Sequence, residues 1–255
     1  MKTNPEFQKK QKKSNTSRSE TGHIKNVANF ETAIAFCIGY GVPYNPSNAA
    51  LTIVNLQAKW TTSKLKLKDV KDTKEIFDSV TGARQIIFKP LRPLATRIIN
   101  ALIAAKAPST VIKDARTIVR KISGKRATDI LIEVIPINKI SVSQQSFDRL
   151  TDSFEELVIL ASTEVKYVPN ELDLQITALE LFVSQLNTIN TTVKTNYVNY
   201  SNTMIARNNE LYKTDEGLID TAKEVKSYVK SLFGASSPQY RQISGIEFKK
   251  PPKDK

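Results

Sequence analysis

The side chains that usually carry nucleophilic or metal-dependent catalysis are scarce in this 255-residue chain. It contains one histidine, His23, and one cysteine, Cys37. A zinc box and a helical di-metal site need more such residues. A Ser-His-Asp triad or a Cys-His pair would need His23 to lie within the bundle, whereas it is expected outside it. We expect His23 to be solvated within a polar tail. We expect Cys37, in the apolar run 33–38, to be a small buried residue.

Carboxylates are the remaining candidates for acid-base chemistry. Four glutamates cluster on or near the predicted helices of the second half of the chain, namely Glu155, Glu156, Glu171 and Glu180. Two carboxylates can act as general acid and base when they line one pocket. Acidic residues near helix N-termini are also expected from the helix dipole alone. The sequence therefore predicts no catalytic residue, no metal ligand and no cofactor, and it predicts that the chain is not an enzyme.

Lysine and arginine residues form the pattern that points most clearly to binding. Lys113, Arg116 and Arg120 are spaced i, i+3 and i+7, so they share one face of a predicted helix. With three lysines of an earlier predicted helix they are candidate contacts to phosphate groups or to an acidic partner, the set being Lys64, Lys68, Lys71, Lys113, Arg116 and Arg120. A solvated helix surface gives the same pattern. The sequence has no zinc finger, RNP aromatic pair or basic-region zipper that would specify nucleic acid.

Two segments of the chain repeat at an offset of 123 residues. Tyr44, Pro46, Leu51 and Ile53 recur as tyrosine, proline, leucine and isoleucine at positions 167, 169, 174 and 176. In each copy the proline suits the start of a helix, because it fixes φ and lacks an N–H group. The short segment Gly39-Tyr40-Gly41 lacks the further residues of a phosphate-binding loop, so it is expected to end the first helix.

Each repeated segment is followed by a heptad-spaced apolar pattern in the same register, which is typical of a helix with one buried seam. The seam positions in the first copy are Ile53, Leu56, Trp60, Ser63, Leu67, Val70, Lys74 and Phe77. Their counterparts are Ile176, Leu179, Val183, Leu186, Asn190, Val193, Tyr197 and Tyr200. The pattern predicts two long, coiled-coil-like helices near residues 47–88 and 170–211.

A returning helix repeats at a shorter offset of 107 residues, and each copy closes near a glycine, Gly124 and Gly234. The shorter offset places sixteen extra residues in the first copy, around residues 89–105. Few glycines, eight in all, also favour helices over a turn-rich architecture. The sequence therefore predicts an all-α, elongated helical bundle built from two copies of a three-helix unit.

The predicted organisation has five parts. They are a disordered basic tail at 1–25, a first basic helical unit at 26–126, a linker at 127–143, a second unit at 144–235 and a C-terminal tail at 236–255. The Ile- and Val-rich stretch 130–142 of the linker is either extended or a short strand. In the C-terminal tail, Ile246 and Phe248 are expected to pack back on the bundle or against a partner.

The sequence predicts a cytoplasmic protein. Polar residues follow the basic N-terminal residues where a signal peptide needs an apolar stretch. The longest run without charged residues, 32–58, contains two prolines and two glycines, so it is not expected to cross a membrane. One cysteine allows no internal disulfide framework.

Four segments resemble a family of uncharacterised helical proteins from Bacteroidota. They read ISVSQQS at 140–146, YVPNE at 167–171, ARN at 206–208 and VKSLFGASSPQY at 229–240. The resemblance covers most of the chain outside the N-terminal tail. It implies a soluble bacterial helical protein, and it implies no activity and no functional residues.

Charge is the feature that separates the two copies. Residues 1–126 carry 24 basic and 8 acidic side chains, whereas residues 127–255 carry 14 and 17. A basic and an acidic surface attract each other within a chain or between chains. We therefore predict a non-enzymatic scaffold or protein-interaction module that binds a protein partner or itself. The alternative is a nucleic-acid-associated protein that uses the basic first unit and the N-terminal tail.

Overall fold

The computed structural model describes residues 21–124 and 145–250 and shows an all-α bundle, as the sequence predicts. No strand occurs within these ranges. The helices are α1 (Thr21–Gly39), α2 (Ile53–Phe88), α3 (Leu91–Ala104), α4 (Ser109–Ser123), α5 (Phe147–Thr163), α6 (Ile176–Tyr212), α7 (Leu218–Phe233) and α8 (Pro238–Ser244). A short 3₁₀ turn precedes each long helix, at Ala49–Leu51 and at Leu172–Leu174.

The described helices form two compact units, and both long helices contribute to each. The first unit contains the described residues up to Val70 and those from Thr203 onward, and the second contains those from Lys71 to Asn202. The predicted sequence copies, 26–126 and 144–235, follow a different division. They remain a prediction about repetition in the sequence, which the grouping in space does not test.

The first unit has a core made from α1, α7, α8 and the nearby ends of the long helices. Its fully buried side chains include Phe30, Leu56, Leu211 and Leu218. Cys37 also lies in this core, as predicted, and burial raises the pKa of its thiol to about 11. The core is continuous from α1 to α7, so it holds together helices that are far apart in the sequence.

The second unit has a separate core made from α3, α4, α5 and the other ends of the long helices. Phe154 and Leu157 of α5 and Leu102 of α3 are fully buried in it. The extra residues predicted around 89–105 form α3, whose apolar face packs against α4 and α5. The predicted three-helix unit is therefore wrong for the first copy, which contains the four helices α1 to α4.

Both long helices begin six residues later than predicted, at Ile53 and Ile176. The reason is the same in both places. The residue after each 3₁₀ turn, Thr52 or Gln175, has an extended backbone with φ near −64° and ψ of 148° or 144°, which interrupts the helix. Each long helix then continues to residue 88 or 212, close to the predicted end.

A buried tyrosine fixes each of these helix entrances. The Tyr44 hydroxyl donates to the carbonyl oxygen of Leu51 at 2.9 Å, and the Tyr167 hydroxyl donates to that of Leu174 at 2.9 Å. Burial raises the pKa of both phenols, that of Tyr167 to about 12. Each hydroxyl satisfies a carbonyl that the interrupted helix leaves without a backbone partner.

The predicted seams of the long helices are buried or half-buried over most of their length. Two of their polar positions form hydrogen bonds inside the units: Ser63 Oγ donates to Glu210 Oε1 at 3.0 Å, and Asn190 Nδ2 donates to Thr151 Oγ1 at 3.2 Å. The first exposed seam position is Lys74 in α2 and Tyr197 in α6. Exposed Tyr197 instead packs beside Phe77, with ring centroids 5.6 Å apart.

The prediction that His23 is solvated is wrong. Helix α1 begins at Thr21, so residues 21–25 belong to the bundle rather than to a tail. His23 is buried, and its Nδ1 lies 2.6 Å from the Tyr212 hydroxyl. The imidazole is covered because the end of α6 returns to α1, a contact across 189 positions of the sequence.

The C-terminal residues pack on the first unit, as predicted for Ile246 and Phe248. Helix α8 buries Ile243 completely, although residues 236–255 were predicted to be a tail. Asn26 of α1 exchanges two hydrogen bonds with the backbone of Lys249, at 2.8 and 3.0 Å. The remaining predicted parts, residues 1–20 and the linker 127–143 with its stretch 130–142, lie outside the described residues.

Glycines end α4 and α7, as predicted. Gly124 and Gly234 have φ of 68° and 91°, a backbone conformation that L side chains rarely adopt. None of the helices in residues 21–124 and 145–250 combines the length and apolar character that a membrane crossing requires.

Candidate interaction surfaces

The basic residues predicted to contact phosphate or an acidic partner lie on two helices. On α4, Lys113 and Arg116 are exposed and Arg120 is partly exposed, so the predicted three-residue basic face exists on the second unit. On α2, Lys64 and Lys68 belong to the first unit and Lys71 to the second. Four of the six candidates therefore lie in the second unit, and three of these, Lys113, Arg116 and Arg120, lie on one helix.

The basic face of α4 is bordered by an ion pair. Lys121 Nζ lies 3.4 Å from Glu156 Oε2 of α5, and both side chains are about half exposed. Arg120 and Lys121 also stand in the last turn of α4, where cations interact favourably with the helix dipole. Part of this positive charge therefore has a structural role.

The four candidate glutamates are all exposed, and the structure distributes them over three places. Glu156 pairs with Lys121, and Glu171 lines a cleft beside α3. Glu155 of α5 and Glu180 of α6 line one groove. No group of three or more potential metal-ligating side chains is found among the residues that the structure describes.

The groove between α5 and α6, here called the α5/α6 groove, is an open cavity of about 640 Å³ on the second unit. Buried Val158 and Val183 line it, together with Ile159, which is 57% exposed. The other lining residues are Glu155, Ser162, Glu180, Ser184, Asn187, Thr188, Thr191 and Thr192. The groove thus combines an apolar base with hydroxyl, amide and carboxylate groups.

Contacts near one end of the α5/α6 groove hold its two helices in place. Lys194 Nζ of α6 lies 2.9 Å from Asp148 Oδ1 of α5. The buried bond from Asn190 to Thr151 joins the same two helices. The groove is therefore a fixed feature of the fold.

A second feature of the same unit is the segment that connects α5 to α6, which includes the 3₁₀ turn Leu172–Leu174. Three of its large apolar side chains point into solvent, Val165 at 90%, Val168 at 79% and Leu172 at 77% exposure. We call these three residues the apolar loop. Single exposed apolar residues are normal on protein surfaces, but three within eight positions form a cluster.

The apolar loop is held by contacts on both sides. Buried Tyr167 lies between Val165 and Val168, and Lys166 Nζ donates to the carbonyl oxygen of Lys106 at 3.0 Å. Asp173 accepts two hydrogen bonds from the Arg97 guanidinium, which lower the pKa of its carboxyl group. The exposed side chains are thus presented by an anchored backbone.

The corresponding loop of the first unit lacks this cluster. Val42 stands at the position equivalent to Val165 and is 95% exposed. The positions equivalent to Val168 and Leu172 hold Asn45 and Ala49. The Asn45 N–H donates to the Tyr228 hydroxyl at 3.2 Å, so this loop is tied to α7 of its own unit.

Sequence reasoning missed both the apolar loop and the α5/α6 groove. The loop carried a usable signal, because three large apolar residues flank Pro169 in a segment without helical periodicity. The groove carried none, because it depends on the distance between two helices.

No protein-family model, no curated protein and no solved structure matches the chain.

Proposed function

We propose that this protein is a non-enzymatic interaction module, and that the apolar loop is the centre of its contact with a protein partner or a second copy of itself. The observation that carries the proposal is the exposure of Val165, Val168 and Leu172 on an anchored backbone. Clustered exposed apolar side chains are typical of protein-binding sites. Little loop entropy is lost when such a site binds.

The charge of the surroundings supports a protein partner. The side chains next to the apolar loop include Arg97, Asp173 and Glu171, so both signs of charge border the apolar cluster. An apolar centre with a mixed polar rim is the usual composition of a protein interface.

Affinity capture with three baits tests the proposal. The baits are the native chain, the variant Val165→Ser/Val168→Ser/Leu172→Ser and the matched control Val42→Ser. We expect the native chain and the control to retain the same proteins, this chain included, and the triple variant to lose them by about tenfold or more, since losing about 1.4 kcal/mol has that effect. An identical set of proteins on all three baits would overturn the proposal.

A second candidate function is binding to nucleic acid, which the exposed basic face of α4 favours. Lys113, Arg116 and Arg120 would each neutralise one phosphate. The logarithm of the affinity for duplex DNA would then fall against the logarithm of salt concentration with a slope of about −3. Absence of binding at about 50 mM salt would remove this candidate.

We further propose a cytoplasmic, bacterial protein that arose by internal duplication. A buried reduced thiol and the lack of a disulfide framework support the location. The matching Tyr44 and Tyr167 hydrogen bonds, 123 positions apart, support the duplication. Cell fractionation tests the location, and recovery of both loops in one set of related sequences tests the duplication.

A further inference from the structure

The α5/α6 groove has a chemistry that differs from that of the apolar loop, and the two share no residue. Its base is made of the valines Val158 and Val183, while Ile159 stands half-exposed beside them. Its charged lining residues are both carboxylates, Glu155 on α5 and Glu180 on α6. Among the described residues that line it, none is basic. A ligand that fits this groove therefore carries both an apolar group and a positive charge.

The first unit has a larger side chain at the position that corresponds to Val183. Trp60 is the eighth residue of α2, and Val183 is the eighth residue of α6. The indole of Trp60 packs against the core of the first unit, and Lys64 Nζ lies over its ring, 4.8 Å from the centroid. In the second unit the corresponding positions hold the smaller Val183 and the uncharged Asn187.

A small cation alone does not match the groove. It would pair with Glu155 and Glu180 but would leave Val158, Val183 and Ile159 in contact with water. A large apolar side chain beside a lysine or arginine satisfies both parts of the groove. The volume of about 640 Å³ is within the usual range of about 300–1,000 Å³ for ligand sites.

We propose that the α5/α6 groove binds a protein segment that presents an aromatic side chain flanked by lysine or arginine. The aromatic side chain lies on Val158 and Val183 and covers Ile159. The flanking cations pair with Glu155 on one wall and Glu180 on the other. This binding does not depend on the apolar loop, so either site can fail while the other remains.

Synthetic peptides provide the first test, with the full-length chain as the receptor. The probe is a fluorescein-labelled helix-forming peptide of about 14 residues, with one tryptophan and lysines three or four positions on either side. Replacing its tryptophan by alanine should weaken binding by about 30-fold, because a buried aromatic anchor is typically worth this much. Replacing its lysines by glutamates should abolish binding. Fluorescence anisotropy measures both.

Receptor variants provide the second test. Glu155→Gln/Glu180→Gln should weaken binding of the tryptophan peptide about fivefold at low salt, as expected for two exposed ion pairs. Ile159→Ser should weaken it by a similar factor through lost apolar contact. The control Glu156→Gln lies next to the groove but faces Lys121, so it should change affinity less than about twofold.

A further variant, Val183→Trp, places a large side chain at the base of the groove and should abolish binding. If circular dichroism shows that this variant is not folded, Ile159→Ser and the double glutamine variant decide the question, since their side chains are exposed.

Several results would overturn the proposal. These are no binding of the tryptophan peptide at about 1 mM, equal binding of the alanine peptide, or unchanged affinity in both Ile159→Ser and Glu155→Gln/Glu180→Gln. Spermidine binding as tightly as the tryptophan peptide would show a site for small cations instead. Capture of partners by the apolar loop is unaffected by any of these outcomes, so the two proposals fail separately.

Discussion

In each unit two helices pack together and a third helix covers them, but the covering helix differs between the units. In the second unit, α4 and α5 pack together and α3 covers them both. In the first unit, α1 and α7 pack together and α8 covers them both. Helix α3 has 14 residues and lies within the chain, whereas α8 has seven and follows the last long element. The two covering helices, α3 and α8, occupy equivalent positions in their units, but they come from different parts of the sequence.

The difference in length changes what holds each cover in place. Helix α3 has three completely buried side chains, Ala95, Ile98 and Leu102. Helix α8 has one, Ile243. The C-terminal segment compensates with polar contacts, because Lys226 Nζ donates to the carbonyl oxygens of Ser244 and Ile246 and Asn26 bonds to the backbone of Lys249. Helix α3 also has polar contacts, because Arg92 Nε donates to the carbonyl oxygen of Ile122 and Arg97 pairs with Asp173. The two covers therefore differ most in their apolar burial, which is larger for α3.

Truncating a buried side chain of α3 should have the largest effect on the free energy of unfolding. Leu102→Ala should lower the free energy of unfolding by about 4 kcal/mol, near the upper part of the range for buried leucines, because α3 is held between fixed neighbours. Ile243→Ala should cost about 2 kcal/mol, because the short α8 can shift to reduce the cavity. Urea unfolding of both variants measures this. Equal losses would contradict the difference between the two covers.

A smaller effect is expected from the polar attachment of the C-terminal segment. Asn26→Ala removes the two hydrogen bonds to the Lys249 backbone, and with them a longer bond of 3.3 Å to the Tyr212 hydroxyl. It should lower the free energy of local opening of residues 238–250 by about 2 kcal/mol. Asn29→Ala removes one exposed bond to the carbonyl oxygen of Glu247 and should cost about 0.5 kcal/mol. Amide hydrogen exchange measures both. Uniform loss of protection throughout the first unit would contradict a separately attached cover.

Acid should loosen the same attachment. Lys223 and Lys250 donate hydrogen bonds to Asp220 and lower the pKa of its carboxyl group from 3.8 to about 2. A lowered pKa in the folded state means that the stabilisation is present above pH 4 and is lost as the pH falls towards 2. Hydrogen exchange of residues 238–250 should therefore accelerate over this window relative to α4.

The control for acid loosening is Asp220→Asn, which cannot ionise. In this variant the exchange of residues 238–250 should be faster at neutral pH and should respond less to acid. An unchanged pH response would show that other carboxyl groups control the segment.

Substitutions in the two loops should have the smallest effect on stability. Val165→Ser/Val168→Ser/Leu172→Ser and Val42→Ser should each alter the free energy of unfolding by less than about 0.5 kcal/mol per residue, because these side chains are exposed. Thermal or urea unfolding measures this. A large loss in the triple variant would mean that the apolar loop supports the fold and is not free for a partner.

Local patterns predicted much of this fold. The seam positions predicted the two long helices, and Gly124 and Gly234 predicted the ends of α4 and α7. The delayed starts at Ile53 and Ile176 were missed because they depend on tyrosine hydroxyls that take the carbonyls of Leu51 and Leu174. Such a bond becomes visible only when the turn is folded.

Long-range contacts account for the other errors. His23 looks like a tail residue in the sequence, and only the return of Tyr212 buries it. The basic face of α4 followed from spacing alone and is present. The α5/α6 groove depends on the distance between two helices and on a valine where the first unit has Trp60, so no local pattern could show it.

Site-specific photo-crosslinking in cells tests the central claim most directly. A photoreactive amino acid is placed at Val168 in the apolar loop, at Val42 in the equivalent loop, or at Arg116 on the basic face of α4. We expect protein adducts from position 168, clearly fewer from position 42, and no nucleic-acid adduct from position 116. Nucleic-acid adducts from position 116 with no protein adduct from position 168 would contradict this claim.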